Sequence, residues 1–410
     1  MRIAFVVRTF PALSETFLLN QITGLMDAGC DVKILAGERS GDVVFHEEVV
    51  RHGLLHHVRF LNNFPSNWVG CFLKFLMMVP FKLLEAPGAV ARSLNVVIYG
   101  SEAWSFSLFF KAAVFFDVRD CDIILCHSGE SGLLALRMKR LGAVKGKVVT
   151  VFHMAELMAL ARSPMAEKLA GFFREGDLFL PVNEAVKRRL IELGCPESKI
   201  VVHRMGVDLA HFDVSARRRF AAGHLKIISV ARLIEEKGLV YALEAMALLR
   251  GISYEYVIIG DGPLRAALES EAVRLGIARQ VRFMGWQDSG TIRRYLKDTD
   301  IFLAPGISIG GNEYEGIPVV LIEAMASGVA VVTTSHGSVR DLVADGRTGF
   351  LVPEKDPAAL AATFCHLREI PGCVADTAQS ARQLIEEEYD GKALNQKLFR
   401  LLTNTVYAPV

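Results

Sequence analysis

Short apolar runs, each long enough for one buried strand, recur along the whole of this chain, and a stretch with helical periodicity separates nearly every neighbouring pair. In the first half they fall at 3–7, 31–35, 123–126, 148–152 and 178–182. In the second half they fall at 226–230, 256–259, 281–284, 300–304, 330–333 and 350–352. Strands that alternate with single amphipathic helices make a parallel sheet covered on both faces. At 410 residues the chain is too long for one ordinary core, so two domains of roughly 200 residues each are expected. The expected fold is α/β, with two doubly wound, Rossmann-like domains in tandem. The join falls near 204–224, where Arg204-Met205-Gly206-Val207-Asp208 runs into the basic Ser215-Ala216-Arg217-Arg218-Arg219, which reads as a linker. Ligands of doubly wound sheets collect beyond the carboxyl ends of the strands. Two such domains facing one another would enclose a central cleft.

Charge and cysteine usage narrow the classes of function. Lysine and arginine total 46 against 45 acids, which gives no sign of a general nucleic-acid binder. The seven cysteines form no C-x-x-C pair and no zinc spacing, as in a cytoplasmic protein with reduced thiols. Met1 to Val7 begins at once as an apolar run, without the charged leader and cleavage site of a signal peptide. No uninterrupted apolar run reaches the roughly 18 residues of a spanning helix. Yet the mean hydropathy of +0.32 is high for a soluble protein, and much of the excess sits between Trp68 and Phe116. The stretch Trp68 to Leu84 is apolar, aromatic and spaced by Lys74 and Lys82, as a helix lying in a membrane interface would be. A second patch, Trp104 to Phe116, resembles it. Helices buried inside the first domain are the alternative.

Chemistry concentrates in the second half. Glu315 and Glu323 bracket Gly316-Ile317-Pro318-Val319-Val320-Leu321-Ile322, and Pro318 suits the first turn of a helix running on to Gly328. Upstream, Arg232 and Lys237 follow the strand 226–230 and precede a helix over 239–250. A planar guanidinium and a point-charge ammonium together suit a diphosphate, while two carboxylates suit hydroxyls. Free amides at Gly316 and Ile317, with the positive end of the helix dipole, would hold the anion from a second side. The rival readings are a surface Arg/Lys pair beside Glu235 and Glu236, a capping acid at 315 and an exposed helix acid at 323. Gly260-Asp261-Gly262-Pro263 ends a strand in a tight turn; its first reading is structural, with Gly262 the contact if the turn reaches a nucleotide. In the first half, His127 and His153 each follow a strand and so emerge on one carboxyl edge. A lone histidine there would more often be a satisfied core residue. Ser14 suits the cap of the first helix.

In this order, Gly206-Val207-Asp208, Arg232 and Lys237, Gly260 to Pro263, the glutamate pair, Glu323 to Gly328 and Asp345-Gly346-Arg347-Thr348-Gly349-Phe350 resemble the donor half of family-4 retaining glycosyltransferases of GT-B fold. The resemblance covers most of the chain. Phe10-Pro11 with Ser14-Glu15-Thr16-Phe17 looks like the branch that includes colanic acid and related exopolysaccharide transferases. It implies an acceptor-binding domain over 1–205, a nucleotide-sugar domain over 206–385, and a terminal helix over 386–410 crossing back to the first. It further implies that Glu323 binds ribose hydroxyls and Glu315 a hydroxyl of the transferred sugar, with Trp286 near the base. His153 would stand beside the donor sugar and assist transfer, and Ser14, Glu15 and His127 would lie on the acceptor side. The expected partners are a nucleotide sugar and a glycan or lipid-linked glycan, with peripheral contact at the cytoplasmic leaflet; no nucleic acid, cofactor or metal is expected.

The chain departs from the family at two points. Met154 and Glu156 stand where Gly and Asp are usual after the histidine, and Gly337-Ser338-Val339-Arg340-Asp341 replaces a Gly-Ile-Pro-Glu run. These departures keep two rivals open: a GT-B sugar-nucleotide epimerase and a non-catalytic sugar-nucleotide-binding subunit. Asp120-Cys121-Asp122 and Asp298-Thr299-Asp300 spell D-x-D, but both precede a strand rather than follow one, and turns at strand starts explain them better. No G-x-G-x-x-G follows the first strand and no phosphate-binding G-x-x-x-x-G-K-[ST] occurs.

Overall fold

The computed structural model of the protein describes residues 1–11, 16–40, 47–65, 67–163, 165–212, 214, 223–309 and 316–407. The chain forms two compact units, Met1–His203 with Asn395–Val410, and Arg204–Leu394. The first holds β1 (Arg2–Phe10), β2 (Asp31–Arg39), β3 (Val58–Phe60), β4 (Ile123–Cys126), β5 (Lys147–Phe152) and β6 (Leu178–Pro181). They lie side by side in the order β3-β2-β1-β4-β5-β6. The second holds β7 (Leu225–Val230), β8 (Tyr254–Ile259), β9 (Val281–Phe283), β10 (Ile301–Ala304), β11 (Ala330–Thr334) and β12 (Phe350–Val352). Their order is β12-β11-β10-β7-β8-β9, and the strands of both sheets pair in parallel. Each order reverses once, between β1 and β4 and between β7 and β10. Those are the points where a crevice opens at the carboxyl edge of such a sheet. The sequence reading missed β3, a three-residue edge strand registered against Ile34–Ala36 of β2.

Aspartates fix where several strands begin. Asp122 accepts the Arg2 N–H at 2.7 Å and Asp300 the Lys226 N–H at 2.8 Å. Both second acids of the D-x-D runs are therefore spent on strand starts. At the opposite edge the turns end in capped helices: Ser128 accepts from Ser131 N at 3.1 Å, and Asn183 from Val186 N at 2.8 Å. Each cap satisfies an amide that the helix itself leaves unpaired.

The two apolar stretches of the first unit separate in fate. The helix Ser107–Phe116 is core: Phe109 and Phe115 are fully buried and Leu108, Phe110 and Phe116 nearly so, each burial contributing about 1.5–3 kcal/mol. The likeness of Trp104–Phe116 to an interfacial segment is thus corrected for this helix, whose aromatic rings are part of the first unit's core. The helix Trp68–Glu85 buries only Cys71 fully. The final helix, Gly391–Tyr407, belongs to the first unit from Asn395 onward, where Asn395 Nδ2 donates to the Asn20 carbonyl at 2.9 Å.

Candidate functional site

At the reversal point of the second sheet, β7 and β10 part over a small hollow of about 50 Å³. Its lining includes Ser229 to Ala231, Lys237, Leu303 to Gly306, Pro318 and His336. The floor is closed by a buried bond set in which Ser229 Oγ donates to the Leu303 carbonyl at 2.6 Å, leaving the Tyr256 hydroxyl, 2.8 Å away, to donate to Ser229 Oγ. Backbone bonds hold the turn that carries the cations: Ala231 N donates to Ile259 O and Leu233 N to Asp261 O, both at 2.9 Å. A one-turn helix, Glu235–Lys237, follows, and Gly238 closes it at φ 60°. No side chain fits there, because a Cβ on Gly238 would stand 1.9 Å from the Pro305 carbonyl oxygen. The close approach, together with a 2.9 Å bond from Ile307 N to Glu236 O, brings Lys237 into the hollow. Arg232 stands exposed on the same turn and is not among the described residues lining the hollow.

The opposite wall is the start of the helix Val319–Ala326. Pro318 is its N-cap, at φ −63° and ψ 126°, rather than a residue of its first turn. Gly316 and Ile317 therefore precede the helix, and the first-turn amides belong to Val319 and Val320, which have no partner within the helix. Among the described residues, none would lie within 4 Å of a Cβ on Gly316. One turn into the helix, Glu323 is half-buried, and desolvation pushes its carboxyl up to about 7 despite the opposing pull of the Arg293 guanidinium. Glu315 lies outside the described residues, as do Ser14 and Glu15.

Gly262 sits where a Cβ would come within 2.6 Å of the Leu233 carbonyl oxygen, so it packs against the Arg232 turn from behind. Gly260 N donates to Gly285 O at 2.9 Å, tying that turn to the end of β9. There Trp286 projects, 55% exposed. The sequence reading overlooked His336. Its ring covers Gly306 so closely that a Cβ on that glycine would lie 2.3 Å from Nε2. His336 Nδ1 stands 2.9 Å from Thr334 Oγ1 and 3.2 Å from the Thr334 carbonyl. A carbonyl can only accept, so Nδ1 carries the hydrogen. The rule that singled out His127 and His153, a histidine just beyond a strand end, would have found His336 beyond β11.

In the first unit His127 N donates to the Val6 carbonyl at 3.0 Å, which sets it at the reversal point between β1 and β4. Its ring stacks on Phe5 at 5.6 Å, and both ring nitrogens are buried with no hydrogen-bond partner among the described residues. Burial, with His153 and His203 nearby, holds it neutral, its pKa pushed down to about 3. His153 is the N-cap of Met154–Arg162 and lies 5.3 Å from the Phe17 ring; burial lowers it to about 4. His203, also overlooked, donates its backbone N–H to Pro181 O at 2.9 Å. Burial and the Lys397 charge lower its ring to about 4. Carboxyl-edge histidines thus follow β4, β5 and β6. Among the described residues no cluster of three or more His, Cys, Asp or Glu could hold a metal ion.

Comparison with known proteins adds a family. Residues 214–391 match Glycosyl transferases group 1, and residues 14–211 match Glycosyltransferase Family 4. The chain is 35% identical to the provisionally named colanic acid biosynthesis glycosyltransferase WcaL of Salmonella typhimurium, covering 98% of this chain and 99% of that one. It is 34% identical to the amylovoran biosynthesis glycosyltransferase AmsK of Erwinia amylovora, over 98% and 99% of the two chains. Among solved structures, Anabaena HepE in complex with UDP superposes with a TM-score of 0.73 at 18% identity, over 98% of this chain and all of that one.

Proposed function

The chain belongs to the group 1 glycosyl transferases of GT-B fold, and from that premise we propose that it moves a sugar, with retention at the anomeric carbon, from a nucleoside diphosphate sugar to a lipid-carried glycan in exopolysaccharide assembly. The observation that carries the donor half is the hollow that Lys237 shares with the opening of the Val319–Ala326 helix. Lys237, with Arg232 on the same turn, neutralises the diphosphate, and free amides at the helix start meet it from the other wall. As the nucleoside diphosphate departs, charge gathers on those oxygens, and cations already in place lower the barrier without a metal ion. Glu323 reads the ribose hydroxyls, Glu315 the transferred sugar, and Trp286 stands toward the base.

His153 assists at the sugar, and His127, Ser14 and Glu15 belong to the acceptor side. The names WcaL and AmsK support an extracellular polysaccharide as the product, and the UDP of the HepE complex favours a uridine nucleotide. A lipid-linked acceptor would be met at the cytoplasmic leaflet by a protein that rests on the membrane surface. Among the described residues no helix is long and apolar enough to cross a bilayer.

A thermal-shift panel of UDP-, GDP-, ADP- and dTDP-sugars tests the donor half. Ligand at about 100 times its Kd stabilises by about 2.7 kcal/mol, and Lys237→Ala should abolish the shift for the true donor. Product analysis with donor alone separates transfer from epimerisation. Failure of every nucleotide sugar to shift the protein would overturn the reading.

A further inference from the structure

We propose that the helix Trp68–Glu85 docks this protein on an anionic lipid bilayer, with the cavity beside it receiving a lipid phosphate headgroup. The helix turns an apolar face to solvent: Val69, Leu73, Met77 and Leu84 are 63%, 57%, 75% and 87% exposed. Soluble monomers rarely leave a continuous apolar face of this size uncovered. The charged residues of the helix are Lys74, Lys82 and Glu85, none of them in that stripe, and Trp68 stands half-exposed at its first position. Phe106 packs 4.4 Å from Phe75, ring centre to ring centre. Trp104, two residues before it, is 66% exposed.

Along the flank of the stripe, a cavity of about 200 Å³ opens between this helix, β3 and the helix Ser107–Phe116. Arg59, Lys74 and Lys82 line it above an aromatic floor that includes Phe64 and Phe110. The one acid among the described lining residues, Asp117, is ion-paired at 3.6 Å with both Arg59 Nε and Lys82 Nζ, and Lys74 Nζ donates to the Asn63 carbonyl. Lys82 is also bonded to Glu85 at 2.8 Å. Three cations against two acids over apolar ground, a net positive charge at the border of an exposed apolar face, fit a phosphodiester whose acyl chains continue along that face. A second copy of this chain would instead bring the same cations against themselves. The proposal deepens the reading of a membrane-carried acceptor, but its test needs neither donor nor acceptor.

The full protein is sedimented with phosphatidylcholine vesicles and with vesicles containing phosphatidylglycerol, and tryptophan fluorescence is followed with Trp68→Phe as the control. Strong, salt-sensitive binding to the anionic vesicles is expected, with a blue shift that Trp68→Phe reduces. Leu73→Glu and Met77→Glu, at solvent-facing positions that leave folding intact, should abolish binding to both vesicle types. Arg59→Ala and Lys74→Ala should each weaken binding to the anionic vesicles by about fivefold. Wild-type protein that stays in the supernatant, or charged-face variants that bind as wild type does, would overturn the proposal. So would a concentration-dependent dimer that Leu73→Glu dissolves, which would assign the face to a second copy, or a thermal shift by glycerol phosphate without vesicle binding. A nucleotide-sugar thermal shift on the same samples reports separately on the donor hollow.

Discussion

Gly238 and Pro305 approach so closely that a Cβ on the glycine would stand 1.9 Å from the proline carbonyl oxygen. The contact fixes the one-turn helix Glu235–Lys237 over the end of β10. Gly238→Ala would meet both that clash and a left-handed backbone, a strain on the order of 1–3 kcal/mol. We expect a fall in Tm together with loss of the nucleotide-dependent shift, whereas Gly316→Ala, whose Cβ would meet no described residue within 4 Å, should leave Tm unchanged. Differential scanning fluorimetry with and without nucleotide checks both.

Lys237 lines the hollow and Arg232 does not, so their removal should differ. Lys237→Ala is expected to lower kcat on the order of 10²–10³-fold, and Arg232→Ala to cost less and mainly in KM. Steady-state kinetics with the best donor decides; equal losses would mean that Arg232 meets the departing charge as directly as Lys237 does.

Burial raises the Glu323 carboxyl to about 7, against 4.5 ordinarily. Between those values the folded chain holds a proton that the unfolded chain has lost, so this group's contribution to stability falls as pH rises through the window. To accept two ribose hydroxyls the carboxyl must be ionised. Nucleotide affinity should therefore weaken below pH 7, by up to about tenfold per pH unit, and Glu323→Gln should bind weakly with a flat profile. Titration calorimetry from about pH 6 to about pH 8, one unit either side of 7, tests this.

The buried histidines carry the opposite sign. Burial lowers His127 to about 3 and His153 and His203 to about 4, from 6.5. Their stabilisation is complete above about pH 6.5 and is lost as pH falls toward 4, because the unfolded chain takes up protons that the folded chain refuses. Each contributes at most about 1.4 kcal/mol per pH unit within that window. Tm measured from pH 7 to pH 4.5 should fall steeply, and His127→Phe should flatten the slope.

Much of the architecture was legible because parallel strands buried on both faces must be apolar runs, and those runs lie where the strands are. The strand β3 was not, since Val58-Arg59-Phe60 is too short to show either continuity or alternation. Pro318 was placed one position too far into its helix because proline fixes φ near −65° at an N-cap and in a first turn alike. Only ψ separates the two, and the residue type does not encode it. Arg232, Lys237 and Glu323 announced themselves by charge at strand and helix ends. His203 left no such mark, as its place at the sheet edge depends on a backbone bond from an irregular segment to Pro181. The stretches Trp68–Leu84 and Trp104–Phe116 read alike, and only packing against the first sheet decides that one helix is covered and the other is not.

The first unit is discontinuous: its last part, from Asn395, is reached only after the chain has passed through the whole of the second unit. Leu398 and Leu402, both without solvent exposure, join late. On the ribosome the amino-terminal half must wait, incomplete, while the carboxyl-terminal half is made, inverting the usual order in which the leading domain finishes first. A fragment ending at His203 would lack the helix that carries those leucines, and we expect it to aggregate unless a peptide spanning 391–407 is supplied in trans.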